Sequence, residues 1–117
     1  MRYLLMISAD ENNVDDVVSE EGLRAFHRWM DDLVERGVIR AHEGLLPSRT
    51  ATTVRVRGDQ VLLTDGPYIE AKDQIGGIAM IEVDDLDTAI EIAAGHPACA
   101  VGQVEIRPVR EPSTPPR

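Results

Sequence analysis

With 117 residues, 43% of them hydrophobic and 28% charged, the chain can build one hydrophobic core but not two. A formal net charge of −9 argues against nucleic acid as a partner, since phosphates repel such a surface and no basic patch beyond Arg55 and Arg57 offsets it. The single cysteine, Cys99, excludes an internal disulfide, and no apolar run nears membrane-spanning length, so a cytoplasmic protein without membrane contact is expected.

The first apolar run, RYLLMIS (2–8), reads as a buried strand. A polar connection over 9–18 follows, crowded with acids that read as a solvated loop rather than a metal site. Ser19 is a cap for a helix beginning near Glu20, whose two acids suit the positive end of the helix. Leu23, Phe26, Met30 and Leu33 mark its apolar face, and Gly37 ends it. A second strand is expected over 38–46, closed by Pro47. Two further runs, 51–57 and 60–66, face each other across Gly58-Asp59 as a hairpin. GGIAMIEV (76–83) is nearly all apolar and reads as a central strand. Asp84 is the expected cap of a second helix, with Leu86, Ala89, Ile90 and Ala93 on its apolar face and Gly95 and Pro97 at its end. A last strand is expected over 102–109. The Pro-rich stretch 110–117 is expected to be a disordered tail on a domain spanning 1–109.

Without the hairpin, this order is βαββαβ, which predicts a ferredoxin-like α+β fold with both helices on one face of an antiparallel sheet. The other sheet face is then bare although its strands are apolar. Such a patch calls for a partner, and a homodimer supplies one that is self-complementary.

The residues with chemical potential gather around TDGPYIEAKDQIGG (64–77). Asp65 opens an Asp-Gly-Pro turn, where it can either bond its own backbone or serve a site. Tyr68, Glu70 and Lys72 alternate, so an extended backbone sets them on one side as a polar wall for a ligand, or as a charged strand edge. His27 lies at the margin of the first helix's apolar face, as a core residue or as a general base oriented by Asp65. Lys72, Tyr68 or Arg107 would then hold the polar end of a substrate. His42 would bind a metal with His27 only if a carboxylate joined them; no short metal motif is present, and neither metal nor cofactor is expected. His96 follows Gly95 at a helix end, where a cation suits the dipole. Trp29 is read as shielding the helix edge or lining a contact, and Cys99 as a packed small hydrophobe.

The 64–77 stretch resembles the signature of YCII-related proteins, in the branch that carries the DGPF domain. RYLLMI, EGLLP with ATTVRVR, EVDDLDTAIEIAAGHP and GQVEIRPV are similar to that branch in the same order, so the resemblance covers the chain up to its tail. Tyr68 stands where Phe is usual, and Asp73 where a second Glu is usual. The resemblance implies a ferredoxin-like subunit that forms a dimeric α/β barrel, with a pocket between helix and sheet. It implies a His–Asp active pair, for which His27 and Asp65 are the matching positions. It also implies a regulatory alternative, since some relatives occur with extracytoplasmic-function sigma factors. Two functions follow: acid–base chemistry on a small organic molecule, or a non-catalytic metabolite-binding or sigma-factor-linked module.

Overall fold

A computed structural model describes residues 1–13 and 19–112. In chain order they form β1 (Arg2–Asp10), α1 (Glu20–Glu35), β2 (Ile39–Gly44), a 3-10 turn (Ser48–Thr50), β3 (Thr52–Arg57), β4 (Gln60–Asp65), β5 (Asp73–Glu82), α2 (Leu86–Ala94), a second 3-10 turn (Pro97–Ala100) and β6 (Gly102–Pro108). The main sheet has the order β2-β5-β1-β6 and every neighbouring pair is antiparallel. The β3–β4 hairpin forms a separate two-stranded sheet. The result is an antiparallel α+β domain with two helices on one sheet face.

Strand alternation builds the core. Tyr3 and Leu5 of β1 lie opposite Ile81 and Ala79 of β5, and all four are buried with the helix residues Trp29, Leu33, Ala89, Ile92 and Ala93. Leu4 and Met6 point to the other face, where they pair with Met80 and Ile78 of β5 and with Arg107 and Glu105 of β6. That face is an apolar centre with charged margins, and among the described residues no element covers it.

Three local expectations need correction. The apolar face of α1 is rotated: Trp29 is buried and its indole N–H donates to the Ile92 carbonyl at 2.8 Å, while Leu23 is exposed. The large ring fills the gap between the helices, and an N–H partner is what lets a tryptophan sit there. The cap of α2 is Asp85, not Asp84; its carboxylate accepts from the Thr88 N–H at 2.8 Å and the Thr88 hydroxyl at 2.7 Å. β1 also runs on to Asp10, because Ala9 and Asp10 still find partners on β5. Ser19 caps α1 as expected, accepting from the Gly22 N–H at 3.1 Å. Of the polar connection, 14–18 lies outside the described residues, as does 113–117 of the tail. Upstream of that, Glu111 is paired with Arg2 at 3.3 Å.

Two close contacts fix the sheet and the hairpin. Gly102 lies so near β1 that a Cβ there would sit 2.1 Å from the Ser8 carbonyl oxygen. At the hairpin base the Gly66 N–H donates to the Ala51 carbonyl at 2.7 Å, and the Thr53 hydroxyl donates to the Gly66 carbonyl at 2.9 Å.

Candidate functional site

A cavity of about 1220 Å³ opens between α1, the main sheet and the 64–77 stretch. Asp65 reaches it from the last position of β4. Gly66 then takes φ +96°, a left-handed conformation that glycine adopts without a Cβ clash, and so turns the chain along the cavity. Beyond Pro67 the backbone is irregular rather than a strand. The Gln74 amide holds it in place, donating to the carbonyls of Ile69 at 3.2 Å and Ala71 at 2.9 Å. Glu70 and Lys72 line the cavity.

Tyr68 does not share their side. It is 70% exposed, with the Arg55 guanidinium 6.0 Å from its ring centre. The alternation that would have aligned it needs a paired strand, and this stretch has none. Arg107 is also absent from the lining: it lies on the bare face of β6, paired with Glu105 at 3.0 Å. His27 is exposed on α1 and is not among the lining residues. The helix turns about 100° per residue, so Phe26 points into the cavity while its neighbour points away. Asp65 therefore lines the cavity and His27 does not.

The histidines that do reach the cavity are His42 and His96. A bulge between Ile39 and Ala41 shifts the register of β2 and places His42 opposite Ala79, on the helix side. Its ring centre is 5.1 Å from that of Phe26. His96 is buried, 6% exposed, and its ring meets the Trp29 ring edge-on at 4.7 Å. Its Nδ1 accepts the Ala98 N–H at 2.9 Å and so caps the short turn that Pro97 begins. The expectation of a cationic His96 at a helix end is overturned. Burial, and then the nearby charge of His42, push its pKa down to about 4, so it is neutral at physiological pH. The sequence carried a signal for this in His-Pro-Ala, a side-chain cap followed by proline at the first helical position.

Further acids and bases rim the opening. The Glu11 carboxylate accepts from the Ser48 N–H at 2.7 Å and from the Ser48 hydroxyl. These bonds, the hydroxyl's first, hold its pKa below the ordinary carboxylate value and tie the end of β1 to the turn after β2. Among the described residues no group of three or more His, Cys, Asp or Glu is placed to hold a metal ion. No helix among them is long and apolar enough to cross a membrane.

Fold and site together define an antiparallel α+β domain with an open cavity between its first helix and its sheet. The YCII-related domain model matches residues 1–113, and the chain belongs to that family. It is 31% identical over 118 residues to an uncharacterized protein of Rhizobium meliloti (strain 1021), an alignment that covers 93% of this chain and 92% of the relative. Among solved structures it is similar to 5-chloro-2-hydroxyhydroquinone dehydrochlorinase from Burkholderia phenoliruptrix AC1100, in complex with 2,5-dihydroxybenzoquinone. The TM-score is 0.56, the identity 12%, and the alignment covers 94% of each chain. At that identity the likeness is one of fold.

Proposed function

We propose that this YCII-related protein binds a small organic molecule in the cavity and performs acid–base chemistry on it. The observation that carries the reading is that two imidazoles, His42 and His96, and the Asp65 carboxylate line one cavity. His42 is only half-buried and can exchange protons with a ligand; His96 is held neutral and hydrogen-bonded in one orientation. Asp65 is the carboxylate that lines this cavity with the histidines, and a ligand between them would be shared by Asp65 and a cavity histidine in place of His27. Glu70 and Lys72 stand at the rim to hold the polar end of the ligand. The fold neighbour's complex with a small cyclic compound supports a ligand of that size. The test is a screen of small cyclic compounds for thermal stabilisation and for spectroscopic turnover, repeated with His42→Gln and Asp65→Asn. Both variants are expected to lose turnover by a factor of about 100 or more. Hits that are bound but never turned over would instead assign the cavity to a metabolite-sensing or sigma-factor-linked module.

The same reading includes a homodimer in the manner of a dimeric α/β barrel. The bare face centred on Leu4, Met6, Ile78 and Met80 supports it, since two such faces cover each other.

A further inference from the structure

His96 gives the cavity a donor of fixed sense. A backbone N–H can only donate, so the nitrogen that takes the Ala98 N–H must be the unprotonated one. The proton of the neutral ring is then on Nε2. Among the described residues no group pairs with Nε2, and no buried side-chain nitrogen or oxygen is left without a partner. Nε2–H therefore meets the cavity itself. A ligand atom that sits on it must be an acceptor.

The surroundings narrow the ligand further. Phe26 lies 5.8 Å from His96 and 5.1 Å from His42, ring centre to ring centre and inclined by 64° and 43°, which makes this end of the cavity aromatic and suited to the edge or face of a planar ring. The rim charge is negative: Asp10, Glu11, Asp65 and Glu70 face the opening against Arg49 and Lys72. The chain as a whole carries −9 and adds to that field. Such a field disfavours a ligand that arrives as an anion.

We propose that the ligand is an uncharged planar molecule whose carbonyl oxygen is seated on His96 Nε2–H. This rests on the cavity being the ligand site, as proposed above. The neutral imidazole is a donor that an uncharged carbonyl can accept without losing a charge's hydration, and it is ready to stabilise negative charge that develops on that oxygen. The neutral tautomer survives mild acid, because protonation of His96 is held to about pH 4.

Three matched probes test this by NMR titration of the full chain: 4-hydroxyacetophenone, 4-hydroxybenzoate and 4-ethylphenol. Long-range proton–nitrogen spectra should show His96 as the Nε2–H tautomer from pH 7 down to pH 5. The ketone should shift the His96 Nε2 signals and bind at least about tenfold tighter than the carboxylate and the ethyl compound. His96→Gln, which keeps an N–H donor, should retain the preference for the ketone, and His96→Phe should lose it. The Nδ1–H tautomer, a carboxylate that binds as well as the ketone, or a ketone that shifts Phe26 and His42 but not His96 would overturn the inference and leave the cavity reading standing. Shifts confined to residues outside the cavity would overturn both. Failure of all three probes to bind would overturn the ligand class, while the turnover screen still tests the cavity.

Discussion

At the scale of single residues, His96 links the cavity to the pH dependence of the fold. The ordinary imidazole value of 6.5 is pushed down to about 4 by burial and by His42. As pH falls through 6.5 the unfolded chain takes up a proton that the folded chain refuses until near 4. Stability present above pH 6.5 is therefore lost progressively across that window, by about 2 kcal/mol between pH 7 and pH 5. Urea unfolding at the two pH values should show this loss in the natural chain and a smaller one in His96→Gln, whose amide does not titrate. Equal losses would mean that His96 is not the group responsible. The sequence pointed to Asp65, Glu70 and Lys72, and the structure sets all three on the cavity. It also pointed to His27, which is exposed, and weighed His42 only as a metal ligand and His96 only as a cation at a helix end. The reason is geometric. One residue step on a helix separates Phe26 from His27, and one bulge in β2 decides which way His42 points; neither is written in hydrophobic spacing.

Whole elements are easier to read than the side chains they carry. Both helices, the hairpin and the four strands of the main sheet fall within a few residues of where apolar spacing and turn residues put them. The ends moved where tertiary contact extends a ladder, as at Asp10, or where two adjacent acids compete to be the cap, as at Asp84 and Asp85. The segment 66–72 read as extended because its polar residues alternate, yet it pairs with no strand and takes its shape from Gly66 and Gln74. At this scale the tightest joint is between β1 and β6. Gly102→Ala would drive its methyl group into the Ser8 carbonyl and the Ala9 backbone. Backbone cannot swing aside as a side chain does, so a loss of roughly 1–3 kcal/mol is expected, visible as a lowered thermal midpoint. An unchanged midpoint would show that β6 tolerates a wider spacing.

For the molecule as a whole, surface and shape argue for assembly. The radius of gyration is 16.2 Å, where a compact chain of this length gives about 13 Å. The separate hairpin accounts for the difference in kind: Val54, Val56, Val61 and Leu63 lie on one of its sides, each more than half exposed. An isolated hairpin is marginal in water, so this one also gains from cover. Light scattering should give the natural chain twice its 12.9 kDa mass. A Met6→Lys, Met80→Lys double variant should run as a monomer, since two ammonium groups would be buried without partners in the joined sheets. A natural chain of single mass would remove the dimer, and a double variant that stays dimeric would move the interface off this face. The apolar second face of the sheet was legible in apolar strands without enough helix to cover them; the hairpin's apolar side was not, because alternation shows that one side is apolar but not whether anything packs on it.

The place of β1 between β5 and β6 also governs how the chain can be made. Its partners begin only at Asp73 and Gly102. The β3–β4 hairpin can close on the microsecond timescale as soon as its own residues emerge, because its two strands are neighbours in sequence. The main sheet has no such shortcut, and its pairings span most of the chain. During synthesis β1 waits with two open edges and apolar side chains on both faces until β5 emerges, and β6 then closes its second edge. The nascent chain is therefore most exposed to aggregation through β1 before β5 and β6 have emerged.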